Sequence, residues 1–366
     1  MKFLPTSDFR SETGAHTRAF VRFIVFCVIA VGLVGCGTKE PDVLHYTGAT
    51  MGTYYSIKIK WPERYAARKN SPQDTKQLGN DIARILSQVD HTMSTYQADS
   101  ELSRFNASPN TDWFPVSQDL HAVVHEALYI SRLTDGAFDI TVGPLVDLWG
   151  FGPSENASQQ PVPSEADLHS AMARIGYEKL AARSTPPALR KENPKLYLDL
   201  SAIAKGFSVD KVAEYLEEKR LTDYLVDVGG ELRAKGKNAI GKPWRIAIEK
   251  PVAGGRDIHR VIAVDDYAVA TSGDYRNFFE QDGKRYSHTI DPRTGKPVTH
   301  NLASVTVLDP QAMRADALAT ALSVLGPEAG YEFAERENIP VWLITKTKEG
   351  FQDRSSSGFA EFPVLN

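Results

Sequence analysis

The chain has 366 residues, 42% of them hydrophobic and 24% charged, with 26 Gly, 21 Pro and 2 Cys. That composition excludes a disordered, collagen-like or disulfide-stapled protein, and the length suits one large folded domain or two ordinary ones. A formal net charge of −4 excludes a nucleic-acid binder of the basic-patch type.

The first element is a leader. Phe23 to Val34 is a nearly unbroken apolar run with Arg18 and Arg22 just before it. The run is short for a membrane-spanning helix and has the length and flanking charge of a signal-peptide core. It ends in Leu33-Val34-Gly35-Cys36, which resembles the lipobox of bacterial lipoproteins. That resemblance implies a signal peptide over residues 1–35, lipidation of Cys36, a tether over 36–43 and a folded domain over 44–366, with length enough for two sub-domains. An uncleaved anchor or ordinary cleavage nearby are the plainer alternatives. Cys27 leaves with the leader and Cys36 is acylated, so an exported protein of this kind has no disulfide.

Beyond the tether, Tyr55, Ile57, Ile59 and Trp61 alternate with polar residues and predict a strand. Leu78, Ile82, Ile85, Val89 and Met93 recur at helical spacing. Ser117 opens a second helix, with Gly136 as its stop. A Pro-rich loop covers 153–163. Ser164 with Asp167 resembles a capping box and opens a short helix to about Ile175. Thr185 to Pro194 reads as a loop, Lys195 to Leu200 as a strand, and the residues from Ser201 to about Arg220 as a helix capped by Ser201. Strands then dominate, over 224–228, 244–250, 260–264 and 268–271. A hairpin of 277–281 and 284–288 turns at Asp282-Gly283. A strand over 304–308, a helix over 312–325 and a strand over 341–345 complete the chain. The order mixes hairpins with helices, so the fold class is α+β: mixed, largely antiparallel sheets packed with helices, not a doubly wound parallel sheet.

Several segments are rich in small, polar and backbone-exposing residues. Asp316 and Thr320 stand four apart on a predicted helix and share a face, as a half-site for a hard cation requires; a solvated Asp beside a packed Thr fits the same spacing. Asp199 ends an apolar stretch before a helix N-terminus, where unpaired N–H groups and Lys205 offer charge to an anion. Ser201 to Lys205 is S-x-x-x-K, one residue longer than the S-x-x-K of serine acylases, which excludes that chemistry. His288, at the end of a hairpin strand, is the best general-base candidate, because imidazole titrates near neutrality.

Seven segments in order resemble one family, the ApbE-type flavin transferases (FAD:protein FMN transferases). They are Thr50-Met51-Gly52-Thr53; Met93 to Asn106; Gly136 to Leu145; Asp199 to Gly206; Asp227 to Glu231; Ser287 to Gly295; and Asp316 to Thr320. The resemblance implies an FAD cleft between sub-domains and a Mg²⁺ ion held by Asp316, Thr320 and the main-chain carbonyl of Ala202. It implies FAD contacts from Met51, Tyr96, Ala137, Phe138, Asp139, Asp199, Lys205 and Ile290, and catalytic roles for His288 and Asp316. Tyr96 and Met51 then pack on a ring face and Asp139 accepts from adenosine. The implied reaction moves FMN from FAD to a Thr or Ser hydroxyl of an acceptor protein and releases AMP. The implied acceptors are extracytoplasmic parts of membrane electron-transfer complexes, such as sodium-pumping quinone reductases and Rnf-type proteins. The enzyme is then anchored by lipid facing the periplasm, on the inner membrane if it follows its acceptors, although Gly37 after Cys36 leaves the outer membrane open. FAD storage without turnover and Mg²⁺-dependent hydrolysis of FAD to FMN and AMP are the alternatives that fit the same residues. Thr47-Gly48-Ala49-Thr50 looks like an acceptor motif, but Leu44 stands where such motifs carry Asp, so self-modification is not expected.

Overall fold

Alternating apolar residues on the strands set the layering of the protein. The structure, a computed structural model, describes residues 43–61, 72–152, 162–252, 257–273, 278–281 and 283–365. The expected leader, Cys36 and most of the 153–163 loop lie outside these residues. Elements in chain order are β1 (Val43–Thr50), β2 (Thr53–Lys60), α1 (Pro72–Met93), α2 (Glu101–Ala107), β3 (Phe114–Pro115), α3 (Gln118–Leu133), α4 (Gly143–Leu148) and α5 (Glu165–Met172). Then come β4 (Leu180–Ser184), β5 (Pro187–Lys191), α6 (Ala204–Glu218), β6 (Tyr224–Val228), β7 (Glu231–Lys235), β8 (Trp244–Glu249), β9 (Ile258–Val264) and β10 (Tyr267–Gly273). Two short hairpins follow, β11 (Phe278–Gln281) with β12 (Lys284–Ser287) and β13 (Ile290–Asp291) with β14 (Lys296–Pro297). The last elements are β15 (Leu302–Asp309), α7 (Ala312–Leu325), α8 (Pro327–Arg336), β16 (Val341–Thr347), β17 (Gly350–Ser355) and β18 (Val364–Leu365).

Eight strands form one sheet in the order β1-β2-β6-β7-β10-β15-β16-β17, with every neighbour antiparallel. Successive residues point to opposite faces, and here both faces are covered. Ala270, Val307 and Leu343 join the large core shared with α1, α3, α6 and α7. Their chain neighbours Val269, Leu308 and Ile344 join a second core under the β18-β9-β8 sheet. The double cover explains why Leu302 to Leu308 of β15 is buried throughout. The class is α+β with antiparallel sheets, as the order of elements implied.

Other expectations need correction. Lys195 stands in a turn, and Leu196 to Leu200 belong to no strand. Leu196, Leu198 and Leu200 do alternate into the core. The backbone is instead satisfied by a side chain: Leu198 N–H donates to Asn106 Oδ1 (2.8 Å) and Asn106 Nδ2 donates to Leu198 O (2.9 Å). Periodicity reports burial, not a ladder partner. The 185–194 segment is only partly loop, since β5 pairs with β4 there. Ile85 is only half-buried, and Leu86 takes the inward position on α1. Ser117 and Ser164 do cap α3 and α5, accepting from the N–H of Leu120 and Asp167. Ser201 does not cap α6: it bonds to Asp199, and the helix starts three residues later at Ala204.

Helices α6 and α7 pack backbone to backbone. A Cβ on Gly206 would lie 2.2 Å from the carbonyl oxygen of Ala312 and 2.8 Å from Cα of Met313. Both are backbone atoms of the α7 N-terminus, so nothing yields without moving a helix. Gly206→Ala should therefore destabilise the protein by about 2 kcal/mol, despite the better helix propensity of Ala. Urea unfolding of the two proteins checks this.

Candidate active site

The first turns of α6 and the inward face of α7 form the floor of a cavity of about 840 Å³. Every residue singled out above as a catalytic, FAD or metal candidate lines it.

At the floor, Asp316 is 5% exposed. Its Oδ2 accepts from the backbone N–H of Gly206 at 3.0 Å, and its Oδ1 lies 4.0 Å from Lys205 Nζ. Thr320, one turn further along α7, and Ala202, just before α6, also face the cavity. Sequence reasoning assigned no role to Glu231, the first residue of β7. It is 4% exposed and its Oε2 is 2.7 Å from Lys205 Nζ. In sequence it closes the Asp227 to Glu231 segment directly after Gly229-Gly230, and that turn precedes its buried position on β7. Both glycines have positive φ, 64° and 105°, where side chains are strained. Lys205 thus sits between two buried carboxylates. Burial opposes its charge, yet Asp316 and Glu231 together hold its pKa above the ordinary lysine range. Burial pushes the Glu231 carboxyl up to about 7, against the pull of Lys205. Asp316 is also raised by burial, opposed by Lys205 and the Gly206 N–H.

The donor set of Asp316, Thr320 and the Ala202 carbonyl is all oxygen and fits a hard divalent cation. Among the described residues no group of three or more His, Cys, Asp or Glu is placed to hold a metal. A cation at Asp316 therefore needs neutral protein oxygens and oxygens of its ligand.

Around the walls, Met51 has φ 48° and Gly52 φ 70° in the two-residue turn joining β1 to β2, which carries Met51 to the cavity. Tyr96 is 75% exposed at the cavity wall. The Ala137 and Phe138 side chains are almost wholly buried, so they offer little beyond backbone to a ligand. Asp139 already has both oxygens engaged: Oδ1 accepts from Thr141 N–H (2.8 Å) and Oδ2 from Tyr177 N–H (3.0 Å). Burial raises its pKa despite those bonds. Asp199 closes the turn before α6 by accepting from Ser201 N–H at 2.8 Å.

A small third core carries another part of the cavity wall. Its buried members are Leu145, Trp149, Leu168, Ala171, Ile175 and Ile290, with Phe151, Phe279 and Tyr286 packed against them. Phe279 and Tyr286 stack at 5.0 Å between ring centroids, and Phe151 meets Phe279 at 5.6 Å. Phe151 also presents an edge-on contact to His288 at 6.3 Å. Trp149 Nε1 donates to Gly295 O at 2.8 Å, tying α4 to the loop after His288. Phe151 and Phe278 also line the cavity, and no sequence pattern marked them. Arg293 turns away to a two-point bond with Asp291.

An α+β domain whose cavity joins a half-buried lysine, two buried carboxylates and a histidine has the build of an enzyme. The ApbE family model matches residues 51–343. A Vibrio cholerae relative named FAD:protein FMN transferase is 48% identical over 330 residues, 90% of this chain and 95% of the relative. One of the same name from Haemophilus influenzae is 44% identical over 338 residues, 92% of this chain and 96% of its own. The solved structure of the flavin transferase ApbE from Vibrio cholerae superposes with a TM-score of 0.78 at 47% identity, covering 88% of this chain and 99% of that one. This chain belongs to the ApbE family.

The raised Glu231 pKa has a consequence for stability. The folded state holds this proton up to about pH 7, whereas an unfolded Glu releases it near 4.5. The associated stability is full below pH 4.5 and is lost as pH rises through 7. In metal-free protein, Glu231→Gln should flatten the fall in stability between pH 5 and 8 by an amount on the order of 3 kcal/mol. Urea midpoints at the two pH values measure it.

Proposed function

We propose that this enzyme transfers the FMN half of FAD to a Thr or Ser hydroxyl of an acceptor protein and releases AMP. The observation that carries the reading is the convergence on one cavity of the Lys205–Asp316–Glu231 cluster and His288. The cavity volume is on the scale of sites that enclose a whole small molecule. Asp316, Thr320 and the Ala202 carbonyl would hold a Mg²⁺ ion, which when bound neutralises pyrophosphate charge.

The chain's own residues do the rest. Lys205 stays cationic and presents its ammonium at the floor, where phosphate oxygens lie. The acceptor hydroxyl oxygen attacks the FMN phosphorus, and the bond from that phosphorus to the AMP oxygen breaks. An imidazole nitrogen of His288 takes the hydroxyl proton. The product is a phosphoester on the acceptor, with AMP leaving as an anion. Met51, Tyr96 and Ile290 flank the flavin or the adenine, and Asp139 orders its own loop beside them. The acceptors in this reading are extracytoplasmic domains of Nqr-like and Rnf-like electron-transfer complexes. Lipidated Cys36 then tethers the enzyme to a bilayer facing the periplasm. No helix among the described residues is long and apolar enough to cross a membrane.

The test mixes protein, FAD, Mg²⁺ and an acceptor domain, then weighs the acceptor. A mass gain equal to FMN on a Thr or Ser supports transfer. Free FMN alone indicates hydrolysis, and no turnover indicates storage. Asp316→Ala should abolish metal-dependent transfer. His288→Ala should slow transfer roughly 10²- to 10⁴-fold while FAD fluorescence titrations stay unchanged. An unaltered rate removes His288 as the base.

A further inference from the structure

Helices α6 and α7 have an unusual start. The first turn of a helix leaves backbone N–H groups without partners, and a serine at the cap position supplies one in α2, α3 and α5. Neither Ile203, the cap residue of α6, nor Gln311, that of α7, makes a side-chain capping bond. Each helix is instead capped by an aspartate of the other. Asp316 of α7 accepts from Gly206 N–H in the first turn of α6 (3.0 Å). Asp210 of α6 accepts from Ala312 N–H (3.0 Å) and Met313 N–H (2.9 Å), the first two residues of α7. These bonds link the first turns of both helices, where Gly206 also faces the backbone of Ala312 and Met313. Gly206 lets their backbones approach to a distance at which both bonds close. Arg233 Nη1 lies 3.2 Å from Asp210 Oδ1, which balances the second carboxylate.

One of the two capping carboxylates is the candidate metal ligand. Asp316 Oδ2 is engaged by the Gly206 N–H, and Oδ1 lies 4.0 Å from Lys205 Nζ. The axial position of α7 decides whether Oδ1 and the Thr320 hydroxyl reach the same point. Asp210 is the group that fixes that position, from the far end of the contact and without touching the cavity. We infer that Asp210 is a positioning residue for the cation site: by clamping the N-terminus of α7 it sets the register at which Asp316 and Thr320 present their oxygens. The inference rests on the metal role proposed for Asp316 and Thr320.

Asparagine at 210 keeps one acceptor and turns an NH₂ group toward the other N–H; alanine removes both. The test titrates Mn²⁺, in the presence of FAD, into the full-length protein and follows the loss of the free Mn²⁺ electron paramagnetic resonance signal. Asp210→Ala should raise the half-saturating Mn²⁺ concentration about tenfold, and Asp210→Asn by less. Transfer turnover of both should recover at saturating Mn²⁺. Ile246→Ala, in the second core and remote from both helices, is the control for lost stability: its melting temperature falls while Mn²⁺ half-saturation stays that of the wild type. If Asp210→Ala does not fold, Asp210→Asn carries the comparison. Lower melting temperatures with unchanged Mn²⁺ half-saturation in both Asp210 variants overturn the inference and leave the metal site standing. A wild-type protein that takes up no Mn²⁺, or an Asp316→Ala variant that takes it up equally well, overturns the metal site and this inference with it.

Discussion

The contact of Gly206 with the start of α7 is the constraint on which the site depends. It exists because one residue has no side chain and its neighbour across the interface offers only backbone. Closing that gap brings a main-chain N–H to a buried carboxylate and sets Lys205, the preceding residue, beside the same carboxylate. The large core on one face of the eight-stranded sheet holds both helices in place. The cavity floor is therefore made by helix packing, and its charged groups are carried on rigid elements instead of loops.

Three charged side chains meet at this floor, one positive and two negative, all largely withdrawn from water. Taking such groups out of solvent costs free energy that pairing recovers only in part. The raised Glu231 and Asp316 pKa values express that shortfall. The arrangement is thus poorly explained as a device for stability. It is better explained as a seat for a ligand whose own charge completes the balance.

Much of this was readable in the sequence, for reasons that can be named. Asp316 and Thr320 were legible because helical spacing puts residues four apart on one face, and α7 spans the residues that its apolar pattern marked out. His288 was legible from the turn signals around it. Glu231 and Asp210 were not, because each acts through a partner remote in sequence: Lys205 for one, the α7 N-terminus for the other. Ser201 was misjudged because Asp199 competes for its hydroxyl, and the two together build a turn before the helix instead of a cap on it. The 195–200 segment shows the same limit, since an asparagine ninety-two positions away took the place of a neighbouring strand. Phe151 and Phe278 lay in no periodic pattern at all, so only the folded chain brings them to the cavity.

The cavity draws its two sides from cores of unequal size. The floor belongs to the large core and the histidine wall to a small aromatic cluster. Damage to each side consequently has a different reach. A lesion in the large core is felt by the entire molecule, whereas one among Trp149, Phe151, Phe279 and Tyr286 is felt first by the imidazole. Substitutions that accumulate in the lesser cluster can uncouple turnover from folding, leaving an intact receptacle for the dinucleotide that no longer delivers its cargo. That offers a ready route from a transferase to a carrier by change in one wall alone.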